Sequence, residues 1–320
     1  MSDFQDEGAG ENSPDELSAS RLIAERIALN DIHACLFDFV EDENGVLFSV
    51  DDAYFSLRFK SEDDGIKMRE RCGLIQCDGT PHFVESNRPN GWRYFYSYEI
   101  GQSTVRFGIG WIGSSGKLSM QRGFLQFNPN KTMNDERLGM LTRRIMPYLR
   151  DFKLERWDLA IDIPASREDT RMAKDARGYE YIDKGHGITE YLGTRNKPGR
   201  VKLYDKTKEA GLDADWTRLE LTCGGDWGID EIMRRLPRVY TWRGSKNEHE
   251  RNWVRAFGLL AAEYLDAVGG TIEPYLRLLG RGASRKVLDY LASPRVNVNR
   301  ETLEDVMIRV SEVECMLCAI

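Results

Sequence analysis

The stretch from Thr189 to Glu209, TEYLGTRNKPGRVKLYDKTKE, constrains this chain more than any other. Val201 and Leu203 alternate with Lys202 and Tyr204, which is the two-residue period of a half-buried strand. Gly193 and the Lys197-Pro198-Gly199 run interrupt the pattern with turn-forming residues. The stretch therefore reads as a strand, a turn, a second strand and the start of a helix. Arg195, Lys197, Arg200, Lys202, Lys206 and Lys208 make it strongly basic, and between Arg195 and Lys208 only Asp205 opposes them. Tyr204 lies inside that run, on the strand face of Lys202 and Lys206. Cationic neighbours favour an ionised phenol and gather phosphate. Tyr191, the other tyrosine of the stretch, has Arg195 as its nearest cation in sequence. Two readings stay open on these residues alone: a hairpin with a solvated basic face, or a tyrosine activated as a nucleophile.

Two flanking segments bear on that choice. Upstream, Leu154 to Pro164 reads LERWDLAIDIP, a strand in which Asp158 and Asp162 are four residues apart and share a face. Downstream, Trp216 to Cys223 reads WTRLELTC, with Arg218, Glu220 and Thr222 on one face and Leu219 and Leu221 on the other. Carboxylates are depleted in strands and call for a partner. One partner is an arginine, Arg156 or Arg218; the other is a hard divalent cation, which takes carboxylate oxygens. Asp158, Asp162 and Glu220 are the candidate ligands, and substituting Asp162 by Asn is expected to abolish Mn²⁺-supported activity while largely preserving folding.

The order RWDLAIDIP, TEYLGTRNKPGRVKLYDKTKE, TRLELT resembles the replication initiation factor (Rep-trans) family of rolling-circle plasmids and integrative elements. That family carries an R-x-D-x-A-x-D strand, a Y-x-G-x-R turn, a basic strand ending Y-[DE]-K-x-x-E and an R-x-E strand. The resemblance spans roughly Leu154 to Cys223. It implies an enzyme that nicks and rejoins origin DNA through a covalent 5′-phosphotyrosine, with Mg²⁺ or Mn²⁺ as cofactor. It assigns Tyr204 as the nucleophile, Lys206 and Arg218 as groups beside the phosphate, and Asp158, Asp162 and Glu220 as metal ligands. Arg195, Lys197, Arg200 and Lys202 would contact DNA. Origin DNA, double-stranded or as a hairpin or single strand, a host helicase and a second copy of the chain are the partners that go with it. Two alternatives are carried: a relaxase for conjugative transfer of an integrative element, which uses the same chemistry, and a DNA-binding regulator without cleavage.

The remainder of the 320 residues frames this core. Residues 1–20 hold six carboxylates and no Lys or Arg, and read as a disordered acidic tail; without them the net charge of -7 becomes nearly neutral. Residues 21–135 read as a β-rich region after a first helix at Ser20–Asn30. Its strands are expected at 34–40, 46–50 and 54–59, with an Asn44-Gly45 turn, a short helix at 62–73 and a meander of aromatic strands at 93–100, 104–112 and 117–127. Those aromatics suit a sheet core or, less commonly, base stacking. The catalytic core occupies 136–236, entered by a helix over 134–152. The last part, 237–320, is helical, and there Arg281, Arg285 and Lys286 belong to a second basic concentration suited to duplex phosphates.

The expected fold class is α+β: a curved, mostly antiparallel sheet carries the active site, and a helical C-terminal region follows. No apolar run reaches membrane-helix length and no secretory signal is visible, so a cytoplasmic protein is expected. The six cysteines lack zinc spacing and read as reduced thiols. No phosphate-binding G-x-x-x-x-G-K-[ST] loop occurs. The four histidines form no close pair, so a nicking enzyme here would hold its metal with carboxylates.

Overall fold

A computed structural model describes residues 39–72, 82–85, 91–100, 103–184, 187–241, 248–268, 272–291, 296 and 298–318. The acidic tail, the first expected helix, the 34–38 part of the first expected strand and His186 lie outside them. The architecture is α+β. Its strands are β1 (Val40–Glu41), β2 (Leu47–Phe59), β3 (His82–Glu85), β4 (Trp92–Ile100), β5 (Ser103–Ile112), β6 (Leu118–Phe127), β7 (Leu149–Ile163), β8 (Thr170–Met172), β9 (Tyr179–Lys184), β10 (Gly187–Leu192), β11 (Val201–Asp205), β12 (Thr217–Gly224) and β13 (Val239–Thr241). Eleven of them form one open antiparallel sheet in the order β3-β4-β5-β6-β2-β7-β12-β11-β10-β9, with β1 paired to β2. Strands β8 and β13 pair separately.

The sheet has two halves wound alike. β2 starts one meander whose last strand, β6, pairs back on it. β7 starts another, whose last strand, β12, pairs back in the same way. The two long strands join the halves. Alternation along each strand sends Phe48, Phe55, Phe107, Trp157, Leu159, Leu203 and Leu221 to one face, where all are buried. Three helices cover that face with apolar stripes: α1 (Glu62–Cys72) with Met68, α3 (Glu136–Ile145) with Leu138, Leu141 and Ile145, and, last in the chain, α9 (Arg300–Cys318) with Leu303, Val306 and Val310. Helix α2 (Pro129–Thr132) precedes α3. The other sheet face carries the polar residues.

The remaining helices are α4 (Lys206–Ala210), α5 (Ile229–Arg235), α6 (Glu248–Val268), α7 (Glu273–Leu276) and α8 (Arg281–Leu291). Helices α6 and α8 meet where Gly258 leaves room for Tyr290: a Cβ there would lie 2.2 Å from the tyrosine ring. This pair has its own apolar clusters.

Two expectations are corrected. The helix over 134–152 ends at Ile145, because Pro147 sits in a 3₁₀ turn and β7 already begins at Leu149. Leu149 is therefore buried as a strand residue. The two strands expected at 46–50 and 54–59 are one continuous strand, β2, which passes through Asp51-Asp52 as a bulge. Strands β8 and β9, unmarked by any clear period, were not expected.

Candidate active site

The candidate site occupies the polar face where β2, β7, β12 and β11 run side by side. Register places Asp52 opposite Asp158, Asp158 opposite Thr222, and Glu220 opposite Lys202; Asp162 lies opposite Arg218, and Arg218 opposite Tyr204. The β10–β11 turn that aligns Tyr204 uses left-handed backbone at Gly193, Asn196 and Gly199, a conformation open to Gly and tolerated by Asn. Just past Tyr204 the chain leaves the strand for α4. Asp205 caps that helix by accepting from the Lys208 backbone N–H at 2.9 Å, and Gly211 ends it in the left-handed region. The acidic residue after the tyrosine thus has a local structural role.

Tyr204 is 5% exposed, and its hydroxyl donates to Glu220 Oε1 at 2.7 Å. Lys202 stands over the ring, its Nζ 3.5 Å from the centroid, and reaches Glu220 Oε2 at 3.4 Å. The expected lowering of the phenol's pKa is not what this arrangement produces. Burial and the Glu220 carboxylate hold it well above the ordinary range, against a smaller opposing effect of Arg218. Lys206 does not flank the ring as alternation suggested, because the strand ends at Asp205; it is buried and bonded to Glu209 at 2.6 Å.

Arg218 and Asp162 form a buried fork. Arg218 Nε and Nη2 each donate to an Asp162 oxygen at 2.6 Å, and Nη1 lies 3.2 Å from Asp51. Asp162 is 0% and Arg218 3% exposed. The arginine partner considered for Asp162 is the one observed. Both Asp162 oxygens accept from Arg218, whose remaining amino group faces Asp51, so these three side chains form one buried ion network. Among the described residues no three His, Cys, Asp or Glu side chains are grouped to hold a metal.

What the sheet does bring together is a pocket of about 140 Å³ lined by Arg156, Asp158, Asn196, Arg200, Lys202, Glu220 and Thr222. Burial, helped by the neighbouring carboxylates of Asp52 and Glu220, pushes Asp158 up to about 7, although Thr222 hydrogen-bonds to it. Burial also pushes Asp52 up to about 6, against a 2.8 Å hydrogen bond from Gln126. Asp51 is drawn down: Arg218 and Lys206 outweigh its burial. Arg200 stacks over the half-buried Tyr191, 4.4 Å from the centroid, and its Nε has no hydrogen-bond partner among the described residues. Arg195 and Lys197 stand exposed at the turn. Arg281, Arg285 and Lys286 lie on α8, away from these strands in sequence, with both arginines exposed.

Asp51, Asp52 and Arg156 escaped assignment as site residues. Their signal was present: two adjacent aspartates inside the apolar run Val46–Phe59 call for partners just as Asp158 does. A second buried ion pair, Arg167 with Glu190 at 2.7 Å, was also unmarked. It sits on the opposite face of β10, where Tyr179 donates to Glu190.

No family model and no curated protein matches the chain. Among solved structures, it is similar to the rolling circle replication initiator protein from Geobacillus stearothermophilus. That match has 13% identity and a TM-score of 0.34, and covers 64% of this chain and 91% of that one. So slight a likeness carries no function, which has to be read from the side chains.

Proposed function

We propose that this chain nicks and rejoins DNA at a replication origin through a covalent 5′-phosphotyrosine, with Tyr204 as nucleophile. The observation that carries the reading is the 2.7 Å hydrogen bond from the Tyr204 hydroxyl to Glu220, beside a pocket that also holds Arg156, Arg200 and Lys202. A nucleophile within hydrogen-bond reach of a carboxylate base is the expected pairing for covalent catalysis. The motif order along β7, β10, β11 and β12 adds support.

In this reading the Tyr204 oxygen attacks a backbone phosphorus while its proton passes to Glu220. The P–O3′ bond breaks, the 3′ oxygen leaves and takes up a proton, and the phosphate stays on the tyrosine. Because one phosphodiester replaces another, the 3′-OH reverses the step without ATP. The raised phenol pKa keeps the hydroxyl protonated until the base and the phosphate act together. Lys202 and Arg200 offset the charge that builds on the phosphate.

Asp158 and Glu220, with Thr222 beside them, are suited to Mg²⁺ or Mn²⁺. Such ions take one or two carboxylates and complete their shell with substrate phosphate and water, so two carboxylates suffice and Asp162 is not needed. The bound ion would neutralise charge on a non-bridging phosphate oxygen. The crowding of Asp52, Asp158 and Glu220 is an electrostatic cost that such an ion would relieve.

The test uses single-stranded oligonucleotides tiled across the DNA surrounding the gene, labelled at the 3′ end, with Mn²⁺, on a denaturing gel. Wild type and Tyr191→Phe should give a protein–DNA adduct, and Tyr204→Phe should give none while still binding DNA. A full adduct from Tyr204→Phe overturns the assignment, and loss in Tyr191→Phe alone transfers it. The near-complete burial of Tyr204 favours a second reading, DNA binding without cleavage, which predicts binding and no adduct from any form.

A further inference from the structure

The polar face of the sheet continues past the Tyr204 pocket into its N-terminal half, where its character changes. A cleft of about 410 Å³ opens there, lined by Tyr54, Trp92, Trp111, Arg58 and Arg122 among others. This volume lies within the range of small-ligand pockets, roughly 300–1,000 Å³. Its walls are a ring cluster. Trp92 meets Trp111 edge-on at 5.0 Å and Phe124 at 4.9 Å, and Tyr54 stacks on Phe124 at 5.2 Å. Phe124 is buried, whereas Tyr54, Trp92 and Trp111 are half-buried. Gly108 permits this packing: a Cβ there would lie 2.1 Å from the Phe124 ring.

We propose that this cleft is a second nucleic-acid subsite, which takes unpaired bases of the strand whose phosphate lies at the Tyr204 pocket. The inference rests on the nicking reading above and extends it along the same strand of DNA. Three observations point to unpaired bases. The first is ring surface, since every base has a π-face that stacks on aromatic side chains, and in a duplex those faces are already covered. The second is charge at the rim. The acids present are partnered: Asp151 with Arg58 at 4.0 Å and Arg150 at 3.7 Å, and Glu155 with Lys153 at 3.9 Å and Ser56 at 2.7 Å. Arg122 has no acidic partner among the described residues, which leaves it for a phosphate.

The third is continuity. Arg156 lines the pocket that holds Glu220, the partner of Tyr204, and also stands over the Tyr54 ring, 5.1 Å from its centroid. From the register, Tyr54 lies three strands across and six residues along from Tyr204, roughly 25 Å at ordinary sheet spacings. A short run of extended single strand spans that path, with Lys202, Arg200 and Arg156 beneath its backbone. The like winding of the two sheet halves puts the ring cluster in one and the tyrosine in the other.

The experiment measures binding by the full chain in EDTA, so that cleavage does not enter. The probes are a mixed-sequence single strand, the same strand with consecutive abasic sites on one side of the scissile position, and a blunt duplex. Wild type should prefer the intact strand over the abasic one by about tenfold or more, the worth of one stacked base. Trp111→Ala should erase that preference, Trp111→Phe should keep it, and the duplex should be bound alike by all three. A preference unchanged in both Trp111→Ala and Trp92→Ala overturns the proposal, as does equal loss for the duplex. 5-Iododeoxyuridine at successive positions should photocross-link to Trp92 or Trp111; cross-links confined to other segments also overturn it. The adduct assay separates the two ideas. Adduct without cleft preference sinks the subsite alone, and wild type that binds no single strand sinks both.

Discussion

Arg218 has two carboxylates within reach and almost no water, so its neighbourhood is where one substitution matters most. Removing one partner of a buried ion pair typically costs about 3–5 kcal/mol, because the remaining charge stays buried. Asp162→Asn should therefore lower the urea midpoint by an amount equivalent to about 3 kcal/mol, softened by Asp51. Sequence spacing led to the expectation that Asp162→Asn spares folding; the buried fork with Arg218 leads to the opposite expectation. Unchanged stability in Asp162→Asn contradicts this account. Asp158 behaves oppositely. Its pKa rises on folding from 3.8 to about 7, and that of Asp52 to about 6. Between those limits the native state holds protons that the unfolded chain has released, so stability falls as pH rises from about 4 to 7. Asp158→Asn should flatten that fall and melt higher than wild type at pH 8. Mn²⁺ should raise the wild-type melting temperature at pH 8 and leave Asp158→Asn unmoved. A pH slope identical in both proteins contradicts the burial argument.

Among the elements, β2 decides most about the site. Its bulge at Asp51-Asp52 lets two adjacent residues serve the polar face, one on Arg218 and the other beside Asp158. Bulges re-aim side chains in this way and are common at functional sites. Deleting Asp51 should remove the bulge and leave Val50 and Asp52 consecutive opposite Leu159 and Asp158, so register and faces persist. The deletion is expected to fold but to melt below wild type, because Arg218 loses its second carboxylate; a deletion that yields no soluble protein would show that the bulge itself is required for folding. The α6–α8 contact tests another element. Gly258→Ala should lower thermal stability, because its Cβ would sit against the Tyr290 ring, while Tyr204 adduct formation persists at permissive temperature.

Over the whole chain, the acidic net charge of -7 conceals a local arrangement. The polar sheet face carries Arg156, Arg200 and Lys202, and α8 presents Arg281 and Arg285 to solvent. If these surfaces meet phosphates, binding weakens steeply with salt as counterions are released. Neutralising Arg281, Arg285 and Lys286 together should reduce duplex affinity and lower the salt slope by about 0.9 for each lost contact. An unaltered slope places the duplex contact elsewhere. None of the described helices is long and apolar enough to cross a membrane.

Much of this molecule was legible in its residues. Alternation at Val201–Tyr204 and Leu219–Thr222 marked β11 and β12, and the three motif segments lie on the adjacent antiparallel strands β7, β12, β11 and β10. Period and turn chemistry are local, so strand, face and turn follow from neighbours in sequence. Which carboxylate meets which cation is not local. The spacing of Asp158 and Asp162 marks a shared face but not that Asp162 is opposite Arg218 while Asp158 is opposite Thr222. The stretch signalled a helix after the second strand but not that the strand would stop at Asp205 and turn Lys206 to Glu209. Nor did the doublet Asp51-Asp52 announce a bulge, since a bulge depends on the partner strand. Pairing across strands sets burial, and burial sets the charge state of Tyr204, Asp158 and Asp52, because desolvation depends on everything packed around a group.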